Sequence, residues 1–405
     1  MKLFPSPLRH LFLGSRLALI PMTAALVAAL TACGGGGGGE GTSAGSSADS
    51  AAAPAPGAAT PAGPRPELPA ARRSARVFVT GHSLVDNPLP DDLVQIANSL
   101  GGTSEYNQQN VLGSPLRVRT RGLNSASSDW SGYRLGKNRE GQNMDVLAEI
   151  ARPQTVSGTY DALLLTERHD LVSSLLFEDT IRYARHYHDR VAAAQPSATT
   201  YFYQSWQGLR DKNAPAEWIA YERAASPVWT CMATRLNQSL VAEGRSSRVV
   251  PLPAGAALAE LVERATQGTV AGITGASVRE TVDRLIEDDV HPTRLGMYYM
   301  ALVSYAAIYR QSPVGAWRPA DVTAAQAASL QNVAWDTVSR REAETPLDLG
   351  QCAATLRDSF CSTYATYMRD ASQAASCQSR FAAGRTDHPF HFDAASDRNL
   401  WLPSP

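Results

Sequence analysis

Residues Arg76–Asp86 read RVFVTGHSLVD, a run of β-branched and aromatic side chains (Val77, Phe78, Val79) that stops at Gly-His-Ser. A continuous apolar run of this kind is what a parallel strand shows when helices cover both of its faces. A serine placed where such a strand ends is either an ordinary turn residue or a nucleophile. The rest of the chain bears on which.

Downstream, short apolar runs alternate with longer helical patterns. LPDDLVQIANSLGG follows the first run, with Pro88 and Pro90 together with Asp91 and Asp92 suited to a helix start and Gly101 and Gly102 to its stop. YDALLLTE precedes LLFEDTIRYARHYHDRVAAAQ, TTYFYQSW precedes a helical pattern over about 217–243, and RVVPLP leads into AGAALAELVERATQG. This alternation predicts an α/β fold, a mainly parallel sheet with helices on both faces. Ligands bind at the carboxyl ends of the strands in such sheets, and Ser83 stands at one of those ends.

A serine hydroxyl needs a base to take its proton before it attacks. Of the eight histidines, the informative one lies in EDDVHPTRLGMYYM, where Asp288 and His291 are three apart ahead of an apolar helix. A carboxylate at that spacing can orient the imidazole, fix its tautomer and stabilise the imidazolium. Pro292 is expected as the first helical residue, which leaves His291 on the loop before it. The plainer alternative is that Asp288 or Asp289 only caps free N–H groups at the helix start. His169, His186 and His188 sit in polar or helical contexts and read as solvated. His388 and His391, in HPFHF, have a metal-compatible spacing within what reads as an extended terminal segment. Trp206 suits either a substrate cleft or ordinary core.

GHSL at Gly81–Leu84 and DDVH at Asp288–His291 resemble the first and last blocks of the SGNH, or GDSL-type, esterase and lipase superfamily. The resemblance spans roughly 76–315 and implies a three-layer α/β/α sandwich of flavodoxin-like type. It makes Ser83 the nucleophile, His291 the base and Asp288 the orienting carboxylate, with His82 where the commoner motif has Asp. It also implies an oxyanion hole containing the N–H of Ser83 and that of Gly113, the glycine of NVLGSPL, where an apolar strand gives way to a turn. The family's Gly-x-Asn block has no clean counterpart in DALLLTERHDL: Thr166, Glu167 and Arg168 take its place, and of these Arg168 is the one able to donate. The implied activity is ester hydrolysis by acyl transfer without metal or organic cofactor, on small esters or O-acetylated glycans. A non-catalytic lipoprotein that binds glycan or scaffolds an envelope complex on the same fold is the competing expectation.

The chain ahead of this region reads as address and tether. Lys2, Arg9 and Arg16 precede an apolar stretch ending in LTAC, which resembles the lipobox of bacterial lipoproteins; an ordinary secretory signal followed by a chance cysteine is the alternative. The lipoprotein reading makes residues 1–32 a signal peptide and Cys33 the lipidated N-terminus, with Gly34 rather than Asp after it implying the outer membrane. Residues 33–75, rich in Gly, Ala, Ser and Pro, bury too little to fold and read as a flexible tether. The hydrolase-like region is expected over 76–317, followed by a helix and a cysteine-bearing extension over 318–405. An even set of cysteines, Cys231, Cys352, Cys361 and Cys377, in an exported chain predicts two disulfides of undetermined pairing. The rival, a zinc site, lacks a tight Cys-x-x-Cys pair. A net charge of -1 offers no basic stripe for nucleic acid. Oligomeric state is not legible.

Overall fold

The computed structural model describes residues 67–124 and 129–403, so Cys33, the signal and most of the tether lie outside the described residues. Five strands, β1 (Arg76–Gly81), β2 (Glu105–Asn110), β3 (Ala162–Thr166), β4 (Thr199–Tyr203) and β5 (Val249–Leu252), form one sheet in the order β2-β1-β3-β4-β5. Every pairing is parallel. The chain leaves β1 toward β2 and returns across it to β3, so the strand order reverses at the β1/β3 boundary, the place at which open parallel sheets bind ligands beyond their carboxyl ends.

Helices α1 (Leu89–Ser99), α2 (Leu116–Thr120), α3 (Val146–Ala151), α4 (Leu171–Phe177), α5 (Thr180–Ala194) and α6 (Ala216–Ala242) fill the connections between strands, and α7 (Ala254–Thr266), α8 (Val278–Asp283) and α9 (Arg294–Tyr309) follow β5. α9 packs between α1 and α7, and α10 (Ala324–Glu342) packs on its outer side. From Gly296 to Tyr309 every residue of α9 is buried, which is why its sequence is apolar all round rather than on one stripe. Its start differs from expectation. Thr293 caps it, its hydroxyl accepting the Gly296 N–H at 3.2 Å, so the helix begins at Arg294 and His291 lies farther outside it.

β2 departs most from the sequence reading. The apolar strand expected just before Gly113 is a turn, Val111–Ser114, and the strand itself is the polar run EYNQQN, yet Asn107, Gln108, Gln109 and Asn110 are buried. Gln109 shows how that burial is tolerated. Its Nε2 donates to the carbonyls of Arg119 at 3.0 Å and Gly132 at 2.8 Å, and its Oε1 accepts from the hydroxyls of Thr80 and Tyr187, both at 2.9 Å.

His186 and His188 are not solvated. α5 carries both into the interior, where desolvation lowers their pKa values to about 4 and about 3. His186 stacks on Trp130 at 3.8 Å and bonds the Tyr133 hydroxyl at 2.8 Å.

The C-terminal extension is helical: α11 (Leu349–Thr355), α12 (Cys361–Met368) and α13 (Ser372–Arg380). Cys231 of α6 pairs with Cys352, and Cys361 pairs with Cys377. The last segment is irregular; Arg235 holds it by donating to the His391 carbonyl at 2.8 Å, and no group of three possible metal ligands occurs among the described residues.

Candidate active site

β1 ends at Gly81, where a larger residue would have to displace Val85: a Cβ there would meet Val85 Cγ2 at 2.0 Å. The chain folds straight into a 3₁₀ turn, Ser83–Val85. His82, at the head of this turn, is 2% exposed, and desolvation lowers its pKa to about 3, so it is neutral. Its Nε2 lies 3.1 Å from the carbonyl of Glu167, which can only accept, so Nε2 carries the proton and Nδ1 is free to accept the Leu84 N–H. Asn110 closes the other side, donating to the His82 carbonyl at 3.3 Å. The residue that departs from the commoner motif thus joins the Ser83 turn to β3 and β2.

Asp288, His291 and Ser83 come together as one hydrogen-bonded chain. Asp288 Oδ1 accepts the N–H groups of Val290 at 2.8 Å and His291 at 2.7 Å, while Oδ2 accepts from His291 Nδ1 at 2.7 Å. With its proton on Nδ1, the ring presents the Nε2 lone pair to Ser83 Oγ, 3.0 Å away. Desolvation opposes the charge on Asp288, but the His291 N–H, the His291 ring and the Val290 N–H outweigh it and lower the pKa to about 2. The carboxylate is therefore ionised throughout the neutral range.

The loop that carries Asp288 and His291 is braced from outside itself. Trp206, assigned from sequence to cleft or core, is buried and donates its indole N–H to the Val290 carbonyl at 2.8 Å. Leu209 N–H donates to the Asp289 carbonyl at 2.6 Å, and Lys212 Nζ to the carbonyls of Ile286 at 2.7 Å and Glu287 at 2.9 Å. The side chain of Asp289 lies against Gly208 rather than toward the imidazole.

Gly113 occupies the exposed turn after β2 in a left-handed conformation, φ 62°, which favours glycine. Arg168 does not face the site as a free donor: Nε and Nη2 are spent on Asp170 at 2.8 and 2.6 Å. Glu167 is fully buried, its carboxylate accepting from Leu116 N–H at 3.0 Å, Arg168 N–H at 2.7 Å and Thr180 Oγ1 at 2.7 Å. The sequence reading missed this role. Its available signal was a polar residue directly after the apolar strand ALLLT, level with His82 after β1. His169 was read as solvated, whereas it is partly buried and its pKa is lowered chiefly by desolvation.

Glu222 anchors the start of the bracing segment by accepting the Gln207 N–H at 2.6 Å. Complete burial raises its pKa from 4.5 to about 8, the Gln207 N–H pulling weakly the other way. Unfolded, Glu222 ionises above its ordinary value; folded, it keeps its proton until about pH 8. Across that window the unfolded state binds fewer protons, so stability falls as pH rises, by a few kcal/mol in all. Glu222→Gln keeps an acceptor for Gln207 and cannot ionise, so its urea midpoint is expected to stay flatter from pH 5 to 8 than that of the parent chain; equal slopes would refute the assignment.

No family model and no curated protein matches the chain. Among solved structures, a DUF4886 family protein from Bacteroides uniformis superposes with a TM-score of 0.46 at 12% identity, covering 68% of this chain and 98% of that one. A two-domain esterase active on acetylated mannans gives 0.34 at 10% identity, covering 62% and 53%. A GDSL-like lipase from Parabacteroides merdae, itself so described only provisionally, gives 0.34 at 12% identity, covering 61% and 99%. Similarity at that level carries no conclusion about activity, and the functional reading rests on the site.

Proposed function

We propose that this chain is a serine esterase, held at a bacterial envelope by lipid on Cys33, that hydrolyses carboxylic esters of small or glycan alcohols. The observation that carries the reading is the chain from Asp288 through His291 to Ser83 Oγ, with contacts of 2.7 and 3.0 Å, at the switch point of a parallel sheet. Ser83 Oγ attacks the ester carbonyl as its proton passes to His291 Nε2, and Asp288 stabilises the imidazolium. The N–H groups of Ser83 and Gly113 take the charge that develops on the carbonyl oxygen. His291 then gives its proton to the departing alkoxide, leaving an acyl-serine. Water attacks that ester with His291 as base, the acid departs, and the proton returns to Ser83. The side chains of His291 and Asp288 are 43% and 52% exposed, so an ester on a bulky alcohol such as a glycan reaches the base without a lid having to open.

Cells expressing the full chain and treated with a fluorophosphonate probe test both parts of the reading. The wild type is expected to be tagged and to sediment with membranes, Ser83→Ala to be untagged, and Cys33→Ser to be tagged but soluble. An untagged wild type would leave the non-catalytic lipoprotein; a Cys33→Ser chain still in the membrane fraction would remove the lipid anchor.

A further inference from the structure

We infer that His169 donates a third hydrogen bond to the substrate oxyanion, an inference that rests on the esterase reading above. β1 and β3 run in register, Thr80 level with Leu165, and the residues just past their ends meet, His82 Nε2 on the Glu167 carbonyl. His169 lies two residues beyond that contact. Its ring is within electrostatic reach of His82, the neighbour of the nucleophile, and of His291 and Asp289 on the opposite loop. The register of β1 and β3 and the His82–Glu167 contact thus put His169 at the carboxyl ends of the strands, the end of the sheet at which Ser83 stands and at which an ester carbonyl must lie to be attacked.

The other polar groups at the end of β3 are already committed. The Glu167 carboxylate takes three donors and Arg168 is tied to Asp170. No hydrogen bond joins the His169 ring to any described residue. Desolvation lowers its pKa, Asp170 and Asp289 pulling upward and Arg168 and His291 downward, so at neutral pH the ring is uncharged and carries one N–H. A neutral imidazole is a suitable donor here: it polarises a carbonyl without competing for the proton that His291 must carry. No proton moves to or from His169. Its bond to oxygen strengthens as the carbonyl becomes tetrahedral, so it acts on kcat rather than on substrate binding.

Hydrolysis of p-nitrophenyl acetate by the purified full chain tests this. His169→Ala and His169→Phe, the second keeping ring volume but no donor, are expected to lower kcat by about 10²–10³-fold with KM within about two-fold. His169→Asn restores a neutral N–H and is expected to recover most of the rate, and all three should keep the parent's thermal midpoint. A wild-type kcat in His169→Ala or His169→Phe, beside an inactive Ser83→Ala, overturns the role of His169 and leaves the esterase reading standing. A loss that appears in KM, or that Asn does not recover, also overturns it. Full activity in Ser83→Ala would instead overturn the esterase reading, and this inference with it.

Discussion

Ser83→Ala and His291→Ala are each expected to reduce kcat on an aryl ester by about a million-fold, and the double variant by no more than either alone. The two side chains act as a unit: Oγ without a base is an ordinary alcohol, and a base without Oγ has no proton to take. Asp288→Asn is expected to cost up to about 10⁴-fold for a different reason. Its carbonyl oxygen still accepts the N–H groups of Val290 and His291, so the loop keeps its shape. Its amide, however, offers hydrogens to Nδ1 where Oδ2 accepted one. The ring then carries its proton on Nε2 and has no lone pair for Ser83 Oγ. Asp289→Asn is expected to be mild, because that side chain rests against Gly208 and only its backbone carbonyl joins the brace. Steady-state kinetics on the four single variants and the double variant checks the set. A crippled Asp289→Asn beside a mild Asp288→Asn would mean that the wrong carboxylate has been assigned.

Why Ser83, Asp288 and His291 could be proposed from sequence and His169 could not is a matter of where the information lies. Asp288 and His291 are three apart, and Ser83 is marked by the strand that runs into it, so each signal is local. His169 depends on β3 ending beside β1, which no short stretch encodes. The same contrast separates the strands. β1, β3 and β4 are apolar runs that announce themselves, whereas Gln109 in β2 is buried through partners as distant as Thr80, Gly132 and Tyr187. A polar run reads as surface until those partners are known. LLFEDTIRYARHYHDRVAAAQ reads as one helix because its apolar spacing continues throughout, yet the chain breaks between α4 and α5 at Asp179, φ 51°, where the neighbouring Glu178 pairs with Arg117. Cysteine pairing was illegible for a simpler reason: spacing alone does not show that α11 packs on α6.

That packing leads to the second large effect, on stability. Reducing the protein is expected to lower its unfolding free energy by several kcal/mol, most of it from Cys231–Cys352. In the chain-entropy account a bridge between residues 121 apart restricts the unfolded chain by about 5 kcal/mol, against about 3 for the 16-residue separation of Cys361 and Cys377. The consequence reaches the Asp288–His291 loop through named contacts. Cys352 ties α11 to α6, and beyond it α12 lays Tyr367 on Tyr221 of α6, ring centroids 4.4 Å apart. The Tyr367 hydroxyl donates to the Gly208 carbonyl, and the next residue, Leu209, donates its N–H to Asp289 on the loop that carries Asp288 and His291. Tyr367→Phe removes one hydrogen bond and is expected to cost about 1 kcal/mol, with the ring stack intact. Removing the bridge with Cys231→Ser and Cys352→Ser frees the whole extension from α6, so its cost should exceed that of Tyr367→Phe several-fold and be accompanied by a lower kcat. Urea unfolding and ester turnover, each with and without a thiol reductant, measure both. If reduction moves neither the midpoint nor kcat, the extension is an appendage and the Gly208–Leu209 segment holds the Asp288–His291 loop without it.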